Sequence, residues 1–211
     1  MYGKSVLYLF FHGNKTRLSR YVKLNPHIVL PNYIYSLWID ANIEIVDNTI
    51  YERVEVLIEK KSLIAHVEHP FHNCIYRDIE MCILDAKDKL KLLLSQYNFL
   101  IKEGYPADFG LYENNLIFRK HNDPIVIFIS NEWWKLFMRF AKRDQLNLNY
   151  IYWKIKFKPD LILPSGINVR NCPGFKYYPH RKYSFIKRIF LKYKTIRNRL
   201  FMFVIKYFRK R

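Results

Sequence analysis

In Tyr35-Ser36-Leu37-Trp38-Ile39-Asp40-Ala41-Asn42-Ile43 an apolar run ends in a carboxylate and, one small residue later, in a side-chain amide. An unpaired charge inside a strand is costly or is forced to shift its pKa, so Asp40 belongs at a strand end, facing a site. Asp40 and Asn42 equally suit the turn of a hairpin, a place Asx residues often fill. Arg17, Arg20 and Lys23 follow one another at every third position, which on a helix puts three cations near one face. Such a face suits a phosphate or plain solvent. His66, His69 and His72 invite a zinc site, since imidazoles are good ligands for that ion. Pro70 works against a helix there, however, and an extended chain would turn His69 away from the other two. One histidine serving a metal or a phosphate fits better. Glu113, Arg119 and His121 cluster in glycine-punctuated, polar chain, as residues of loop-borne sites do. Arg143-Asp144-Gln145 interrupts a greasy pattern and also reads as a local salt bridge.

The elements that must position these groups follow from periodicity. Strands are expected over 5–11, 33–40, 43–46, 64–67 and 115–119, and a short β-branched one over 125–129. Helices are expected over 16–24 and 49–63, the latter with Tyr51, Val54, Leu57 and Ile58 as its apolar stripe. The clearest helix lies within 75–104, with Ile79, Cys82, Ile83, Ala86, Leu90, Leu93 and Tyr97 on one side and Gly104 as its stop. Asn131 is placed to cap a further helix with Trp133, Trp134, Phe137 and Phe140 on its packing face. Four prolines, at 159, 164, 173 and 179, mark a loop-rich connector. From Ser184 onward Phe185, Ile189, Leu191, Ile196, Leu200, Phe203, Val204 and Phe208 alternate with cations. That pattern describes a basic amphipathic helix for an anionic lipid surface, or a terminal helix docked on the body. The organisation expected is an α/β domain over 1–160, a connector over 161–183 and the basic helix over 184–211.

The 211 residues carry a net charge of +18, which points to a polyanionic partner. The charge is uneven: the last carboxylate is Asp160, and residues 181–211 hold twelve Lys or Arg, so the body is only mildly basic. No recognition motif accompanies the charge, which disfavours nucleic acid as the partner. Three cysteines, Cys74, Cys82 and Cys172, fit neither a disulfide framework nor a metal knuckle and suit a reducing compartment. The apolar run over 6–11 is too short for a signal peptide, and no stretch reaches the roughly 18 apolar residues of a spanning helix.

Five ordered blocks between Arg17 and Trp153 resemble the glycosyltransferase-like domain of plant mucilage and cell-wall matrix proteins and of bacterial surface-polysaccharide loci. They are Arg17-x-x-Arg20-Tyr21-x-Lys23-x-x-Pro26-His27; Tyr35-Ser36-x-Trp38-Ile39-Asp40-x-Asn42; His69-Pro70 with Cys74-Ile75-Tyr76; Glu103-Gly104-Tyr105-Pro106 with Gly110-Leu111-x-Glu113, Arg119 and His121; and Trp133-Trp134 with Arg143-Asp144-Gln145-Leu146. The resemblance implies a GT-A-like, Rossmann-like mixed sheet flanked by helices. It also implies a transferase moving a sugar from a nucleotide-sugar donor to a surface-glycan or lipid-linked acceptor. Asp40 and Asn42 would stand where this fold holds Mn²⁺ or Mg²⁺ on the diphosphate. Arg17, Arg20, Lys23 and Arg119 would bind donor phosphates, His121 and Gln145 sugar hydroxyls, and Glu113 or Asp144 would bind the acceptor or act as general base. Such an enzyme is expected in the cytoplasm, peripheral at the inner face of the cell membrane. Only sixteen residues precede the first block, so either a start downstream of the true one or an N-terminally shortened relative is expected. A non-catalytic relative and a basic nucleic-acid- or membrane-binding protein are the alternatives.

Overall fold

The structure is a computed structural model that describes residues 15–179 and 184–209. The strand expected over 5–11 lies outside the described residues. A four-stranded mixed sheet forms the centre, with β1 (Ser36–Ile39), β4 (Tyr112–Arg119), β3 (Ile64–Glu68) and β5 (Asp160–Leu161) side by side in that order. β4 runs antiparallel to both neighbours, and β5 runs parallel to β3. The carboxyl ends of β1, β3 and β5 therefore meet at one edge, beside the start of β4. A small antiparallel pair, β2 (Ile43–Ile45) with β6 (Phe175–Tyr177), closes one flank.

Alternation along the strands separates the two faces. Leu37, Ile39, Ala65, Val67, Leu116 and Phe118 pack against helix α3 (Thr49–Glu59) and against Ile162, Leu163, Val169 and Phe175. The segment expected as a connector is thus loop-rich and also fills the core. Trp38, Ile64 and Ile117 point the other way, onto α1 (Lys15–Leu24), α6 (Pro124–Arg139) and α7 (Gln145–Lys154). A short helix α2 (Pro26–Val29) follows α1. A third cluster joins α4 (Ile75–Leu84) and α5 (Leu90–Lys102) to Ala141 and Leu146. The last helix, α8 (Phe185–Arg209), touches this layer at α4.

Four expectations are corrected. Residues 125–129 are not a strand but the opening turns of α6: Asp123 accepts a hydrogen bond from the Ile125 amide (3.0 Å) and Pro124 sits at the first helical position. Val126, Ile129, Trp133 and Phe137 then fall on the buried side, while Ile125 and Phe128 face out. Asn131 lies inside that helix and caps nothing. The span 75–104 is two helices, because Ala86 adopts a left-handed φ of 50° and the Lys87 amide returns to the Cys82 carbonyl (2.9 Å), closing α4. Gly104 closes α5 the same way, with a φ of 72°. In α3 the inward residues are Ile50 and Leu57, with Val54 beside them, and Tyr51 and Ile58 are exposed.

A candidate site at the carboxyl edge of the sheet

In open α/β sheets ligands bind beyond the carboxyl ends of the strands. Here that edge carries Asp40 after β1, Glu68 and His69 at the end of β3, the start of β4, and the loop after β5. Asp40 sits one residue past β1, its amide bonded to the Asn115 carbonyl (2.9 Å). Trp38 Nε1 donates to Asp40 Oδ1 (2.7 Å), and Lys23 Nζ lies 3.3 Å from the same oxygen. Both contacts fall on Oδ1, which leaves Oδ2 for a ligand.

Lys23 comes from the last turn of α1 and runs along the sheet over the Trp38 ring, 5.5 Å from its centre, with 1% of its surface exposed. Its ammonium lies 2.7 Å from Asp144, which Arg20 also approaches at 3.5 Å. Trp133 Nε1 pins the Asp144 carbonyl (2.8 Å) at the head of α7. Burial pushes the Asp144 carboxyl up, but Lys23 and then Arg20 overcome it and hold the group down at about 2. Asp144 is therefore a fixed anion that aligns two cations, and a poor proton acceptor.

On the other face of the sheet Glu113 takes a two-pronged bond from Arg170 (2.7 and 2.8 Å), whose guanidinium rests on the Tyr177 ring, 4.5 Å from its centre. Arg170 also lines a cleft of about 340 Å³ with Glu68, His69, Phe71 and Asn168. His69 Nδ1 accepts the amides of His72 (3.1 Å) and Phe71 (3.4 Å), which leaves the proton on Nε2 as a donor. Burial, ahead of the neighbouring charges, lowers its pKa and favours this neutral form.

Between the two clusters β4 is irregular. Val67 pairs with Glu113 while His66 pairs with Ile117, so residues 114–116 bulge relative to β3. The bulge holds Asn114 and Asn115, 4% and 6% exposed, and neither side-chain amide meets a hydrogen-bond partner among the described residues. Buried amides are nearly always paired, so this adjacent unpaired pair at the edge marks a place built for a ligand. Sequence reasoning passed over both residues. The available signal was two consecutive amides in an otherwise apolar strand, Tyr112-Glu113-Asn114-Asn115-Leu116-Ile117-Phe118.

The family model described as TOD1/MUCI70, glycosyltransferase-like domain, matches residues 8–166. The chain belongs to this family. No curated protein and no solved structure matches it. Membership gives the TOD1/MUCI70-like chain a glycosyltransferase-like role, and its mixed sheet with helices on both faces is compatible with such a fold.

Of the residues expected to serve this family's chemistry, Arg17, Arg20, Lys23, Asp40, Glu113 and Asp144 lie on elements that reach the edge. The side chains of three others are engaged away from it. Arg119 ends β4 at the opposite edge, buried, with Nη1 donating to the Lys23 carbonyl (2.7 Å), and burial brings its pKa down to about 10. His121 Nε2 bonds the Leu30 carbonyl (2.9 Å), and Gln145 donates to Asp78 (3.0 Å). These side chains hold scaffold together. The zinc pattern dissolves as well: His66 is sealed in the core against the Tyr152 hydroxyl (2.7 Å), away from His69 and His72.

Asp40 and Asn42 do not belong to a preformed cluster of metal ligands among the described residues. The Asn42 side-chain nitrogen donates to the Tyr178 carbonyl (2.9 Å) and the Asn42 backbone carbonyl accepts the Tyr178 amide (2.8 Å), which ties β2 to β6. Asp40 already faces an ammonium, and no group of three His, Cys, Asp or Glu among the described residues is arranged to hold a metal.

Proposed function

We propose that this chain is a glycosyltransferase that moves a sugar from a nucleotide-sugar donor to a hydroxyl of a surface-glycan or lipid-linked acceptor, on a GT-A-like scaffold. The observation that supports this most is the convergence, at one carboxyl edge, of Asp40 with the unpaired Asn114 and Asn115 between two ion-pair clusters. Arg20, a quarter exposed, and Arg17 on the same helix present positive charge to the donor diphosphate. Lys23 lies too deep to touch it and serves to position Asp40 and Asp144. The Asn114 and Asn115 amides bond sugar hydroxyls, and the neutral His69 donates into the cleft where the acceptor lies.

In the transfer the acceptor oxygen bonds the anomeric carbon as its proton passes to Asp40 Oδ2. The bond from that carbon to the diphosphate breaks, and the leaving diphosphate takes the electron pair toward Arg20 and Arg17. In this reading the charge on the leaving group falls to these cations.

Incubation of the purified chain with UDP- and GDP-sugars, followed by nucleotide release and by thermal shift, tests the proposal. Asp40→Asn is expected to keep donor binding and lose about a hundredfold or more in turnover. Arg20→Gln is expected to weaken donor binding about tenfold, and EDTA to leave both steps unchanged. A failure of every nucleotide sugar to bind, or full turnover by Asp40→Asn, refutes it.

A further inference from the structure

Helix α8 meets the body with its polar side. Asn198 is buried and its amide donates to the Ile83 carbonyl at the end of α4 (2.7 Å), while Met202 packs on the α4–α5 layer. At 100° per residue, Phe185, Ile186, Ile189, Tyr193, Ile196 and Leu200 fall within an arc of about 100°, and Ile189 at its middle lies about 180° from Asn198. All six are exposed, Ile186 at 80% and Leu200 at 64%. A helix that only completes a fold buries its apolar stripe. This one docks by the opposite side and turns the stripe outward. Lys192 flanks the stripe about 60° from Ile189, with Arg199 and Arg188 just beyond it, whereas Arg197, about 80° away on the other side, turns its guanidinium back to the Asn198 side-chain oxygen (2.9 and 3.2 Å).

We infer that the outer face of α8 is a docking surface for an anionic lipid bilayer, lying in the interface with its apolar stripe among the acyl chains and its cations at the headgroups. Charge decides the occupant. Residues 181–211 contain twelve Lys or Arg and no Asp or Glu, so a second copy of this face would bring like charges together without relief. A nucleic acid would meet the cations but leave the apolar stripe in water. Only an anionic lipid surface takes both. This inference is independent of the transferase chemistry, because none of its residues touches the carboxyl edge.

Flotation of the full chain with phosphatidylcholine vesicles, with and without about 30% phosphatidylglycerol, tests it. The chain is expected to float with the anionic vesicles and not with phosphatidylcholine alone. Ile189→Glu with Ile196→Glu is expected to abolish flotation, while Ile101→Glu, on an exposed face of α5, leaves it intact. Lys192→Gln and Arg199→Gln are each expected to weaken binding about fivefold. These side chains face away from Asn198, so the melting temperature is expected to stay within about 2 °C of the parent, and the two cation variants give a readout that needs no change in the stripe. Absence of flotation overturns the inference. So does binding that ignores lipid charge, and so does a dimer or an RNA complex that the Ile189/Ile196 variant abolishes while flotation persists.

Discussion

Replacing Lys23 by Met keeps much of its buried stem and removes the ammonium that neutralises Asp144 and Asp40. In the folded protein Asp144 titrates at about 2 against an ordinary value of 3.8, so its surroundings favour the charged form by nearly two pH units, or about 2 kcal/mol, even after the cost of burial. Lys23 is the largest attractive contribution and Arg20 the second. Without Lys23, burial prevails and the carboxyl is pushed above its ordinary range. Breaking a buried pair from one side costs about 3 to 5 kcal/mol near neutrality, because the remaining charge is stranded. The sign with pH then reverses. In the parent the Asp144 contribution is present above the unfolded value and is lost as pH falls toward the folded one. In Lys23→Met the folded value is raised, so stability is present in acid and is lost as pH rises through it. Urea unfolding followed by tryptophan fluorescence, which Trp38 and Trp133 beside the cluster make sensitive, is expected to show the mutational cost falling by at least about 1 kcal/mol between about pH 7.5 and about pH 4.5. An equal cost at both values would refute the assignment of Lys23 as the counter-charge.

His66, buried and held down at about 3 by burial and then by Arg119 and Lys23, must stay neutral in the fold. Its contribution is present above its unfolded pKa and is lost as pH falls, on the order of 3 kcal/mol by about pH 4, and His66→Gln is expected to flatten that slope in urea melts. Ala86→Gly relieves a left-handed residue at the end of α4 and is expected to stabilise by about 0.5–1 kcal/mol, read as a raised urea midpoint. Gly174→Ala would bring a Cβ within 2.7 Å of Asp47 Oδ1 and Thr49 Cβ, where α3 begins, and is expected to lower the thermal midpoint by several degrees.

Much of the carboxyl edge was legible because its first signal is local. An apolar strand that stops at a carboxylate has few places to end, and Asp40 stands one residue past β1. The Asn42 bond to the Tyr178 carbonyl was not legible, because that partner is distant in sequence and local spacing cannot reveal a bond of that kind. Residues 125–129 read as a strand by β-branching, yet the Asp123-Pro124 start and the α-helical spacing of Val126, Ile129 and Trp133 outweigh propensity. The break after Leu84 was hidden because the left-handed residue is alanine, where glycine would have announced it. Lys23 was grouped with Arg17 and Arg20 as one cationic face, but its ammonium is buried between carboxylates contributed by β1 and by the head of α7, and that pairing exists only once the sheet has formed.

The antiparallel strand in the middle of the sheet also bears on how the molecule is made. Among the described residues β1 pairs in the sheet with β4 alone, and Ile39 must wait for Leu116 before that pairing forms. As the chain leaves the ribosome, α1, β1 and α3 emerge before β4, and the pairings of β1 and β3 with β4 form only after Arg119 has been added. Such long-range pairing slows folding and leaves Leu37, Trp38 and Ile39 open to wrong neighbours in the meantime. The carboxyl edge is consequently among the last parts of the protein to form, and a ligand captured there would select for chains that have completed the sheet.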